Sequence, residues 1–125
     1  MHVLGNMVQA VKIGGVVLDL QVIRPNPRVE VGGRVVSEID GEPLFRLADA
    51  AAAAVDSFLA AGRLVEEAFD DHDVLQHYAS GQDLIDDFAD KERRIPDEGI
   101  AALRRVKALC VIRERCRLRR LIRPG

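Results

Sequence analysis

An α/β fold built on a small sheet is predicted by three features of the sequence. Val16, Val17, Leu18 and Leu20 form an apolar run entered through Gly14-Gly15, the mark of a strand covered on both faces by helices. An alanine-rich helical stripe follows it. Near the end the hydrophobic period changes from helical to alternating, so VIRERCRLRRLI reads as a last strand, with one continuous helix over 97–122 as the alternative that would scatter arginine around its circumference.

Taken in order, Leu4, Met7, Val8 and Val11 fall at helical spacing and predict an amphipathic helix over 2–12. Gly14 and Gly15 supply the positive φ that turns this helix into a strand over 16–23. Arg24-Pro25-Asn26-Pro27 stops that strand, because two prolines remove donors and hold the backbone extended. RVEVGGRVVSEI alternates on both sides of Gly32-Gly33, the pattern of a hairpin with a two-residue turn in which Val29, Val31 and Val36 share a face.

Pro43 suits the first turn of a helix over 44–61, which Asp40 or Glu42 caps and Gly62 ends. Leu44, Leu47, Ala51, Val55, Phe58 and Leu59 form its stripe. A strand over 64–69 follows, then Asp70, Asp71, His72, Asp73 and His77, whose default reading is a solvated loop. Their side chains cannot all meet one metal ion from extended backbone, because successive residues face opposite sides. Tyr78, the single tyrosine, either packs or donates its hydroxyl.

Ser80 and Asp83 have capping-box spacing before a short helix carrying Leu84, Ile85 and Phe88, which ends near Lys91-Glu92-Arg93-Arg94. Pro96 opens another helix, with Asp97 and Glu98 in its first turn and Ile100, Leu103 and Val106 on its buried side. In the last strand, over 111–121, Ile112, Cys116, Leu118 and Ile122 share one face, and Arg113, Arg115, Arg117 and Arg119 the other. Cys110 and Cys116 lack zinc or C-x-x-C spacing and read as small buried residues.

The order of these elements resembles the C-terminal half of class I S-adenosylmethionine-dependent methyltransferases. Lys12-Ile13-Gly14-Gly15 stands where that family has a K-P-G-G turn, without its proline. The match continues through helix 44–61, RLVEEAF, YASGQDLIDDF and VIRERCRLRRL, covering nearly the whole chain. The resemblance implies a single domain, 1–125, with a partial Rossmann-like sheet of about three mixed strands. It places the last strand antiparallel between the other two, with flanking helices and the hairpin as an insertion over the carboxyl edge. It also leaves the Val16 strand with one open edge.

S-adenosylmethionine is the cofactor the resemblance implies. The family's cofactor site uses a glycine-rich turn and an acidic residue in the half that precedes the segments matched here, and neither Gly14-Gly15 nor Gly32-Gly33 is a G-x-G after a strand. The expectation is that the isolated chain does not bind the cofactor tightly, and no catalytic or metal-binding residue is assigned. Gln21 and Arg24, beyond the carboxyl end of the Val16 strand, and His2, near a family histidine that flanks the active site, are the substrate-side candidates, each with a structural reading beside the functional one.

At 125 residues with 48% hydrophobic but 4% aromatic content, the chain supports one thin core of Ala, Val and Leu. Met1-His2 lacks a basic leader and the apolar run is too short to span a bilayer, so a cytoplasmic protein is expected. Charge is segregated: residues 61–99 carry 4 basic and 12 acidic side chains, and 100–125 carry 9 and 1. Such blocks suit pairing within the chain or a dimer better than nucleic acid.

Three functions follow, in this order. The first is a methyltransferase-like part that works when a separate N-terminal half-domain or a second copy completes it. The second is a non-catalytic remnant or dimeric interaction module, and the third a nucleic-acid-binding module using the arginine face. The open edge predicts self-association or a partner.

Overall fold

A computed structural model describes residues 3–91 and 93–125, which leaves His2 outside the described residues. Four helices and five strands follow in the order α1 (Val3–Ala10), β1 (Val16–Val22), β2 (Arg28–Val31), β3 (Arg34–Glu38), α2 (Glu42–Ala60), β4 (Val65–Tyr78), α3 (Gly81–Phe88), α4 (Asp97–Arg104) and β5 (Cys110–Ile122). The chain divides into two compact units. Both draw on β5, whose residues 116–122 pair with β1 and whose residues 111–113 pair with β2.

The first unit contains the chain up to Ile23, Leu47–His72 and Cys116–Gly125. Its strand order is β1-β5-β4, with the last strand antiparallel between the other two as expected. The glycine pair acts as a clasp. Gly14 takes φ +80°, and a Cβ on Gly15 would lie 2.4 Å from Val11 Cγ1. Gly14 N donates to Arg123 O at 2.7 Å and Arg123 N to Gly15 O at 3.0 Å, extending the β1–β5 pairing into the turn. The Arg123 guanidinium also donates to Val11 O at 2.6 Å, satisfying a carbonyl that the end of α1 leaves open.

Leu4 and Val8 of α1, Val55 of α2, Val17, Leu64 and Leu121 make the core of this unit. Asp40 Oδ1 accepts from Glu42 N at 3.1 Å at the start of α2, and Gly62 takes φ +72° beyond its end. Helices cover one face of β1, where Val17 is buried. On its other face Leu18 is 57% and Leu20 55% exposed. The expectation of a strand covered on both faces is therefore corrected: a continuous apolar run stands here with one side open.

The second unit contains Arg24–Arg46 and Asp73–Arg115. Gly32 and Gly33 take φ +58° and +80°, the two positive values a primed hairpin turn requires. Val29 is fully buried, and Val31 and Val36 pack against the same core as Ile39, Leu84, Phe88, Leu103 and Ile112. The hairpin was expected over the carboxyl edge of the sheet, whereas β2 pairs directly with β5 from Arg28↔Arg113 to Glu30↔Val111. Backbone pairing with a strand distant in sequence makes it part of the sheet.

Three further expectations are corrected. The sheet has five strands in place of about three, and every pairing in it is antiparallel in place of a mixed arrangement. β4 does not end at residue 69; it runs through Asp70, Asp71, His72 and Asp73 to Tyr78, where a loop was expected. The charged run holds an extended conformation because arginines on β5 meet it. In α3, Ser80 Oγ accepts from Asp83 N at 3.2 Å, as the capping spacing requires. Gly81 begins that helix where a Cβ would lie 1.8 Å from Leu103 O, so only glycine fits against α4. Among the described residues no helix is long and apolar enough to cross a membrane.

Candidate functional site

Within the first unit, β1 pairs among the described residues with β5 alone, so its opposite edge is unpaired. Between β1 and the helices α1 and α2 lies a groove of about 330 Å³. Leu4 and Met7 of α1 form one wall, Ala51 and Ala54 of α2 another, and Val17, Asp19 and Gln21 of β1 the floor. The small side chains on α2 leave the space, because alanine fills little of the layer between helix and strand. The groove is apolar apart from Asp19 and Gln21, whose side chains join through Gln21 Nε2 donating to Asp19 Oδ1 at 3.0 Å. Arg119, opposite Asp19 in the β1–β5 register, directs its guanidinium to Glu66 at 2.6 Å and Asp56 at 3.2 Å instead.

Of the candidates named from sequence, Gln21 lies in this groove and Arg24 belongs to the second unit. Arg24 Nη2 donates to Glu42 Oε1 at 3.0 Å, and its guanidinium carbon sits 5.0 Å from the Phe45 ring centroid. Each is thus engaged inside its own unit. Sequence reasoning placed Ala51 and Val55 on the apolar stripe of α2 but passed over Asp19. The signal for Asp19 was its position as the single charge interrupting an apolar strand.

The arginine face of β5 meets carboxylates in both units. In the second, Arg113 Nε donates to Glu30 Oε2 and Arg113 Nη1 to Asp73 Oδ2, both at 3.0 Å, and Arg115 Nη1 donates to Asp73 Oδ1 at 3.2 Å. Those two guanidinium groups, Arg113 first, hold the Asp73 carboxyl below the usual carboxylate range. Glu30 and then Asp73 push Arg113 above its ordinary value. In the first unit, Arg117 grips Asp71 through two bonds, at 2.7 and 2.9 Å, and rests 4.9 Å from the Phe69 ring centroid. The Asp71 contact raises the Arg117 pKa. Arg120 pairs with Glu67 in the first unit, and Arg93 with Glu114 in the second.

The other titratable contact of note lies in the second unit, where Tyr78 O–H donates to Asp87 Oδ2 at 2.6 Å. Burial, then this carboxylate, pushes Tyr78 up to about 12, which keeps the hydroxyl protonated as a donor. Asp87 is held low by Tyr78 first and Lys91 second. Cys110 and Cys116 are free thiols, both buried, and burial raises the Cys110 pKa.

Comparisons with protein-family models, with curated proteins and with solved structures found no match to this chain.

Proposed function

We propose that this chain is a methyltransferase-like part whose sheet is completed along β1 by a partner half-domain or a second copy, and that it acts on a methyl acceptor only in that assembly. The observation that carries the reading is the edge of β1 that is unpaired among the described residues, on a strand whose Leu18 and Leu20 are exposed and whose Val17, Leu18, Asp19 and Gln21 line the apolar groove. Such an edge is a template for another strand, and proteins ordinarily cover it. The antiparallel last strand between β1 and β4 supports the same reading, since the family resemblance implies that order.

S-adenosylmethionine enters through the resemblance alone. In the assembly the partner would supply the glycine-rich turn, while Gln21, near the carboxyl end of β1, is the position in the first unit from which this chain would reach a substrate. Holding a nucleophile in line with the methyl group is enough to accelerate such a transfer, so the chain need not carry a general base.

A non-catalytic interaction module is the second reading, favoured by the same edge together with the lack of a G-x-G turn. A nucleic-acid role ranks third because carboxylates of this chain already meet the arginines of β5.

The test isolates the tagged protein from its source cells in its native assembly and irradiates it with radiolabelled S-adenosylmethionine. Label is expected on the assembly and not on the isolated chain. A native assembly that takes no label at saturating cofactor overturns the catalytic reading in favour of the interaction module.

A further inference from the structure

We infer that the strand accepted by β1 comes from a different polypeptide segment, not from β1 of a second copy, and that it presents a lysine or arginine opposite Asp19 between apolar neighbours. This rests on the reading that β1 accepts a strand, and goes beyond it by fixing the chemistry of the occupant.

The two long edges of the sheet are unlike. Among the described residues β4 pairs with β5 alone, and its 14 residues carry Glu66, Glu67, Asp70, Asp71 and Asp73. Most of these carboxylates are ion-paired with arginines of β5, and a strand added along that edge would have to desolvate the charged pairs. β1 carries one charge in seven residues, Asp19, at its centre. The unguarded edge is therefore β1, and its specificity rests on one carboxylate.

That carboxylate has a neutral partner, the Gln21 amide, because the guanidinium of Arg119 is directed to Glu66 and Asp56. A strand laid along β1 removes water from the groove side of Asp19. A negative group losing water beside an apolar wall requires a compensating cation or donor.

A second copy cannot supply it in the best register. A two-fold axis through Asp19 would pair all seven residues of β1 but set Asp19 against Asp19, with Cβ atoms about 4.5–5.5 Å apart, where like charges destabilise. Moving the axis to Leu18 or Leu20 keeps groove-side residues opposite one another yet shortens the pairing from seven residues to five. Along a second β4, the neighbouring arginines that could face Asp19 are already engaged by Glu66, Glu67, Asp71 and Asp73. The complementary occupant is an extended apolar segment with one central cation.

Charge reversal on the chain itself provides the probe. Wild type and Asp19→Lys are each expected to remain monomeric in analytical ultracentrifugation, while their equimolar mixture forms a one-to-one dimer at least about ten-fold tighter than either self-association. The Leu18→Lys/Leu20→Lys pair, introduced into both partners, should disperse it. Circular dichroism checks that each variant folds. Asp19→Asn, which removes the repulsion without adding a charge, should self-associate more than wild type.

If wild type dimerises as tightly as the mixture, and Leu18→Lys/Leu20→Lys disperses that dimer, β1 accepts a strand and the requirement for a cation is overturned. If neither the mixture nor Asp19→Asn associates, strand acceptance along β1 fails, and the inference and the reading beneath it fall together.

Discussion

Asp73 is a residue at which the charge pattern of the chain can be measured, because one carboxylate accepts from both Arg113 and Arg115. Its pKa in the folded state is depressed, so the stability it contributes is complete above the unfolded carboxylate value of about 3.9 and is lost as pH falls through the lower folded value. Urea midpoints measured from pH 6 down to pH 2 should fall below pH 4 in wild type and fall less steeply in Asp73→Asn. Arg119 is better shielded, with its side chain 13% and that of Glu66 28% exposed. Arg119→Ala leaves Glu66 without that guanidinium and should cost about 1–3 kcal/mol, read as a shift in urea midpoint at constant m.

At the level of elements, the arginines of β5 explain why β4 is long. Reading β4 alone, nothing in DDHD favours a strand, since neither apolar alternation nor β-branched side chains are present. The reason lies on another strand: Asp71 meets Arg117, and Asp73 meets Arg113 and Arg115. Such information is non-local and is invisible to a window of residues. The hairpin turn, the Ser80 cap, the Gly62 stop and the alternation of β5 were legible because local backbone and capping chemistry fixes each. The pairing of β2 with β5 was not legible, because register belongs to two strands at once. Of the groove, the open edge of β1 was legible from the order of elements, whereas the role of Asp19 required knowing that Arg119 is engaged elsewhere.

Reversing Arg115 and Arg117 to Glu would set like charges against β4. The melting temperature should fall, with little change in any weak DNA binding; an unchanged melting temperature with loss of strongly salt-dependent DNA binding would favour the nucleic-acid reading. Gly81→Ala would force its Cβ against Leu103 O, separating α3 from α4 at a cost of about 1–3 kcal/mol in thermal or chemical unfolding.

For the molecule as a whole, calorimetric titration of the isolated chain with S-adenosylmethionine should show no binding at micromolar cofactor; micromolar affinity would mean that this chain holds the cofactor without a partner. β5, shared by the two units, bears on how the protein comes to be folded. Val16 waits for Ile122 and Arg28 for Arg113, partners that follow by roughly a hundred positions. During vectorial synthesis, at about 5–20 residues per second, the strands and helices made earlier emerge from the ribosome before the strand that ties them together. Leu18 and Leu20 are then exposed beside a β1 with both edges bare. A nascent chain arrested before residue 110 is accordingly a substrate for chaperones, and protease resistance should rise only once β5 has cleared the exit tunnel.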